Sequence, residues 1–171
     1  MKERKLVEMK SGIRVAAALA MGLAGVLAQA QMPAGRSISR AAAVEYLYPE
    51  QVTVPAGKPA AVALHFRIAP GLHINSHTPS EEELIPTTFS IPEDSGVRLD
   101  GAVYPPGGDF HLPLDPKTTL SVYTGEFTIQ ARIVAAPGDH LVEARLRYQA
   151  CDNSSCMPPK TITVAIDVVG K

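Results

Sequence analysis

The chain has 171 residues, 46% of them hydrophobic and 19% charged, with a formal net charge of −1. That balance leaves no basic footprint for nucleic acid. The start, Met1 to Arg14, carries five basic and two acidic residues and runs directly into the apolar stretch Val15 to Ala28. A charged segment, an apolar segment and then Ala28-Gln29-Ala30 predict a signal peptide over 1–30, cleaved before Gln31. The apolar stretch falls short of the ~20 residues of a spanning helix, and no cysteine follows it to invite a lipid anchor. What remains, roughly 140 residues, suits one domain with a single core that needs no staples.

Residues 31–43 read as a flexible polar tail, and the ordered domain is placed at 44–171. Strict alternation then takes over. Val62, Leu64, Phe66 and Ile68 share one face of a half-buried strand. The same pattern recurs in Phe127, Ile129, Ala131 and Ile133, in Val142, Ala144, Leu146 and Tyr148, and in Ile162, Val164, Ile166 and Val168. Shorter candidates lie at 44–47, 52–54, 87–91 and 97–103, separated by Pro- and Gly-rich turns. No helical periodicity is sustained after the leader, and Ser80 to Leu84 is expected to form one turn at most. Seven or eight short strands predict an all-β chain, an immunoglobulin-like antiparallel β-sandwich.

The chain has two cysteines, Cys151 and Cys156, flanking Asp152-Asn153-Ser154-Ser155 between the last two strands. Export puts them in an oxidising compartment, and four intervening residues with turn-forming Asp and Asn can bring them to disulfide distance. One reading is a structural staple. The loop-entropy model gives a ring this small only ~2 kcal/mol, against ~4 for a bridge closing sixty residues. Another reading is a redox pair at a hairpin tip, where an incoming thiolate attacks one sulfur and displaces the other. Asp152 disfavours a Cys151 thiolate by like-charge repulsion, so reduced thiols are expected to be sluggish until a partner docks. A third reading adds His73, His77 and Met157 to the thiols as a soft-ligand set for Cu(I). Pro70, Gly71 and Pro79 make helical presentation of the two histidines unfavourable, and a pair of histidines without a third ligand more often serves packing.

Tyr148-Gln149-Ala150-Cys151, four residues, then Cys156-Met157-Pro158-Pro159 resembles the amino-terminal periplasmic domain of the DsbD thiol:disulfide interchange protein. Gly71-Leu72-His73-Ile74-Asn75-Ser76-His77-Thr78-Pro79 and Ser121-Val122-Tyr123-Thr124-Gly125-Glu126-Phe127 are similar to further stretches of that domain, and the likeness covers most of 44–168. It implies an immunoglobulin-like, periplasmic thiol:disulfide oxidoreductase without cofactor or resident metal. Its electrons would come from a membrane donor and pass to thioredoxin-like or disulfide-isomerase acceptors. It further implies that Cys156 forms the mixed disulfide and Cys151 resolves it, under a cap loop expected within 109–123, with Phe110 and Tyr123 as candidates. Full-length DsbD adds a membrane region and a thioredoxin domain that this sequence lacks, so a separate donor of DsbD or CcdA type is expected.

Three further expectations concern single positions. Glu81-Glu82-Glu83 reads as a solvated surface. Tyr46 is placed at a core edge, and Tyr148 either there or lining the approach to the sulfurs. A passive interaction domain with a structural disulfide remains the alternative to both the relay and the copper module.

Overall fold

The computed structural model describes residues 42–47, 51–113 and 115–171. The predicted leader, and all but the last two residues of the predicted tail, lie outside the described residues. Twelve strands follow one another in it: β1 (Val44–Leu47), β2 (Gln51–Val54), β3 (Ala60–Ile68), β4 (His73–Asn75), β5 (Thr88–Ser90), β6 (Val97–Val103), β7 (Gly108–Leu112), β8 (Asp115–Tyr123), β9 (Glu126–Ala135), β10 (Gly138–Tyr148), β11 (Ala150–Cys151) and β12 (Lys160–Gly170). There is no helix among the described residues. At Ser80 to Leu84 the chain makes a single turn, closed by Leu84 N–H donating to Glu81 O.

The strands form three four-stranded sheets, ordered β1-β3-β9-β6, β2-β12-β10-β5 and β11-β4-β8-β7. In the first two, the alternating faces do what period two dictates. Leu64, Phe66, Ile129 and Ala131 from one sheet, and Val142, Leu146, Val164 and Ile166 from the other, are all at most 2% exposed and join a single apolar cluster. Each large aliphatic or aromatic side chain buried there contributes about 1.5–3 kcal/mol. This is the immunoglobulin-like β-sandwich expected from the alternation. All pairings are antiparallel except that of β2 with β12, which is parallel.

The third sheet positions the cysteines. Its strands β4 and β11 are short, and β4 is buried at all three residues, because both of its faces are covered. Ile74 and its cross-strand partner Ala150 belong to the apolar core. His73, paired with Cys151, and Asn75 therefore project from the opposite face, since successive side chains alternate. The β7–β8 hairpin extends this sheet on its far side.

Candidate functional site

Cys151 and Cys156 are disulfide-bonded, with S–S 2.01 Å and Cα–Cα 4.0 Å. The Cα separation is shorter than the usual ~4.4–6.8 Å, and the local ladder explains the close approach. The two cysteines face each other across an antiparallel bridge. Asp152 N–H donates to Ser155 O at 2.9 Å and Met157 N–H to Ala150 O at 2.8 Å. Those flanking bonds make Cys151/Cys156 a non-hydrogen-bonded pair, the closer of the two antiparallel pair types.

Asp152 builds the turn between them. Its Oδ1 accepts from Ser154 N–H at 2.7 Å, Ser155 N–H at 2.8 Å and Ser154 Oγ at 2.8 Å. These donors hold the carboxyl below the usual carboxylate range, so it is anionic at neutral pH and sits beside Cys151 as the sequence anticipates. The two sulfur-bearing residues are unequal: Cys151 is 2% exposed, whereas Cys156 lies on the exposed side of the loop.

A polar relay ties the loop to the rest of the sheet. Asn75 Nδ2 donates to Gln149 Oε1 at 3.3 Å and to Ile85 O at 3.1 Å. Gln149 Nε2 in turn donates to Met157 O at 3.2 Å. Residues just outside each cysteine are thereby joined to the fully buried Asn75. Asn75 and Gln149 lie within the sequence motifs, where residue type alone points to no role for them. The available clue was a polar residue at the alternating position of an otherwise buried strand.

The predicted cap region, 109–123, is the β7–β8 hairpin. Phe110 packs its ring on His73 at 4.1 Å between centroids, one cross-strand step from Cys151. Tyr123 does not serve as a cap. It is 4% exposed, stacks on Phe127 at 4.9 Å, donates its hydroxyl to Pro105 O and accepts from His77 N–H. Tyr148 is likewise a core residue, 1% exposed, and does not line an approach to the sulfurs; its position in the alternating face of β10 turns it inward. Tyr46 meets the core edge against Phe66 as expected, and Glu81 to Glu83 are exposed.

Of the five residues of the copper reading, His77 and Met157 are engaged in other contacts. His77 is exposed, stacks flat on Tyr104 at 3.7 Å, and its Nδ1 lies 2.9 Å from Thr87 O. Met157 packs against the core, and the two sulfurs are bonded to each other. No group of three or more His, Cys, Asp or Glu side chains assembles in metal-binding range among the described residues. His73 is instead a buried ring, 2% exposed, whose proton affinity burial lowers and the Asp152 charge partly restores. It lines an open groove of about 570 Å³ together with Gly71, Leu72, Phe110 and Asn153.

Residues 43–168 match the family described as thiol:disulfide interchange protein DsbD, N-terminal. Among solved structures, the crystal structure of the Neisseria meningitidis DsbD N-terminal domain in the reduced form is similar, at 19% identity and a TM-score of 0.46. The match covers 67% of this chain and 82% of that one. None of the curated proteins matches the chain.

Proposed function

The chain belongs to the family of DsbD N-terminal domains, and from that premise we propose that it relays reducing equivalents in the periplasm through Cys151 and Cys156. Family and disulfide together fit thiol-disulfide exchange. The observation that carries the finer reading is the asymmetry of the pair, a six-residue ring with one exposed and one buried cysteine. A ring so small adds only ~2 kcal/mol of loop entropy, while exposure of one sulfur is what bimolecular exchange requires.

In this reading a membrane dithiol of DsbD or CcdA type delivers two electrons and two protons to the disulfide. Cys156, as thiolate, then attacks an acceptor's disulfide and becomes joined to one of its sulfurs, while the acceptor's other sulfur leaves. Cys151 attacks the Cys156 sulfur, re-forms the intramolecular bond and releases the acceptor fully reduced. Thioredoxin-like proteins and disulfide isomerases are acceptors of suitable chemistry. No helix among the described residues is long and apolar enough to cross a membrane, and the predicted leader supports export.

The deciding measurement is the equilibrium reduction potential of the pair in glutathione or dithiothreitol buffers, read by mass-tagged thiols. A value above about −300 mV, with folding intact in both states and reduction by a reconstituted membrane donor, is expected. A much lower value, unfolding on reduction, or failure of every such donor to reduce the domain would return the disulfide to a structural role.

A further inference from the structure

Resting on the relay reading, we propose that His73 is the proton acceptor that converts Cys151 from thiol to thiolate as it attacks the mixed disulfide on Cys156. Cys151 needs such a group. It is 2% exposed, and burial in apolar surroundings disfavours a thiolate. The anionic Asp152 next to it acts in the same direction. No helix exists among the described residues to acidify the thiol through its N-terminus.

His73 is placed to answer that need. It is the direct cross-strand partner of Cys151, and directly opposed side chains lie on one face with Cβ atoms about 4.5–5.5 Å apart. The face is fixed independently, because the neighbouring pair Ile74 and Ala150 is committed to the core. Cys156 opposes Cys151 across its other edge, so imidazole, resolving sulfur and exposed sulfur occupy one side of a three-strand strip. The His73 ring makes no hydrogen bond to any described residue, being held instead by packing against Phe110. A ring nitrogen is therefore uncommitted in the oxidised protein.

The charged groups around His73 are few. Asp152 follows β11, Asp109 adjoins Phe110 on β7, and Arg67 of β3 and Glu126 of β9 face it across the groove while bonded to each other at 2.9 Å. Burial keeps the imidazole neutral at pH 7, the form that accepts a proton. With Cys156 bonded to the acceptor, the Cys151 thiol loses its proton to His73, and its thiolate forms the bond to Cys156 Sγ. The Cys156–acceptor bond breaks, and its electron pair leaves on the acceptor's sulfur. The imidazolium then returns its proton to that thiolate or to water in the groove.

The test uses the fully reduced mature domain and Ellman's disulfide, 5,5′-dithiobis(2-nitrobenzoate), in stopped flow. The first thionitrobenzoate is released in a bimolecular step at Cys156. The second is released by attack of Cys151 on the mixed disulfide, at a rate independent of reagent concentration. His73→Phe keeps a ring against Phe110, and His73→Gln keeps a polar side chain. Both are expected to slow the second release by on the order of 10²-fold at pH 7 and to leave the first within about twofold. Both should also replace the wild-type pH profile, which levels once His73 is neutral, with one that climbs with thiol ionisation alone. An unchanged second phase, or a uniform slowing with an unchanged pH profile, overturns the proposal. Absence of any second release from the wild-type protein would instead remove the relay reading beneath it.

Discussion

At the residue scale, the difference between Cys156 and Cys151 has a chemical consequence that follows from access alone. On the proposed relay, an incoming sulfur meets the exposed cysteine first, and the buried one is attacked from within the same chain. A Cys151→Ser variant is therefore expected to accumulate a stable mixed disulfide with a thioredoxin-like acceptor, visible on a non-reducing gel. Cys156→Ser should accumulate little, because Cys151 is 2% exposed. Equal trapping by both variants would mean that the loop opens before exchange. The pair itself was legible in the sequence from spacing and turn residues. Its asymmetry enters the sequence only through the family resemblance, because the residues alone do not show the register of β11 against β4 that sets Cys151 opposite His73.

At the scale of elements, the third sheet is held by close approaches that admit little change. A Cβ on Gly107, where the chain enters β7, would collide with Ser121 Oγ and lie 2.9 Å from Ser76 Cβ. It would force apart the Ser76–Ser121 hydroxyl pair, which meets at 2.8 Å. Gly107→Ala is expected to cost about 1–3 kcal/mol, measured by denaturant unfolding, and to loosen the hairpin that carries Phe110. Phe110→Ala should accelerate reduction of the disulfide by dithiothreitol severalfold while changing the unfolding midpoint little, since Phe110 is only half-buried. An unchanged rate would show that the ring does not restrict access. These elements were the least readable ones. β3, β9, β10 and β12 announce themselves because one face is wholly apolar and meets the core, as Val62, Leu64, Phe66 and Ile68 do. β7 and most of β8 are solvated on both faces, with Pro113 and Pro116 near the hairpin tip, so no alternation marks them. β4 is short and buried on both faces, and its polar residues meet neighbours distant in sequence, Asn75 at Gln149 and His73 at Phe110. The parallel pairing of β2 with β12 leaves no local trace for the same reason.

At the scale of the whole molecule, stability and redox state are expected to be only weakly coupled. The core of the two larger sheets contains neither cysteine side chain nor the loop between them. Removing a six-residue cross-link forfeits no more than ~2 kcal/mol of loop entropy. The double variant Cys151→Ser with Cys156→Ser should stay folded and melt no more than about 10 °C below the oxidised protein. Loss of folding would assign the bridge a structural task that its loop size does not predict.

Acid is expected to act on the fold more strongly than reduction, and the sign follows from two groups of the site. His73 has its proton affinity lowered in the folded state, so the unfolded chain binds the proton more readily. Stability is thus full above the ordinary histidine value of about 6.5 and falls as the pH drops below it, by at most ~1.4 kcal/mol per pH unit. The loss levels off once the folded protein is also protonated. Asp152 is held below the usual carboxylate range by the loop amides, so its contribution is present above about pH 4 and disappears below. Acid unfolding should therefore show a first limb beginning near pH 6.5 and a second below about 4. His73→Phe abolishes the first limb and leaves the second, as read by the denaturant midpoint across that range. Persistence of the first limb in that variant would place its origin in another histidine. It would also weaken the case that the imidazole beside Cys151 is held neutral for use in exchange.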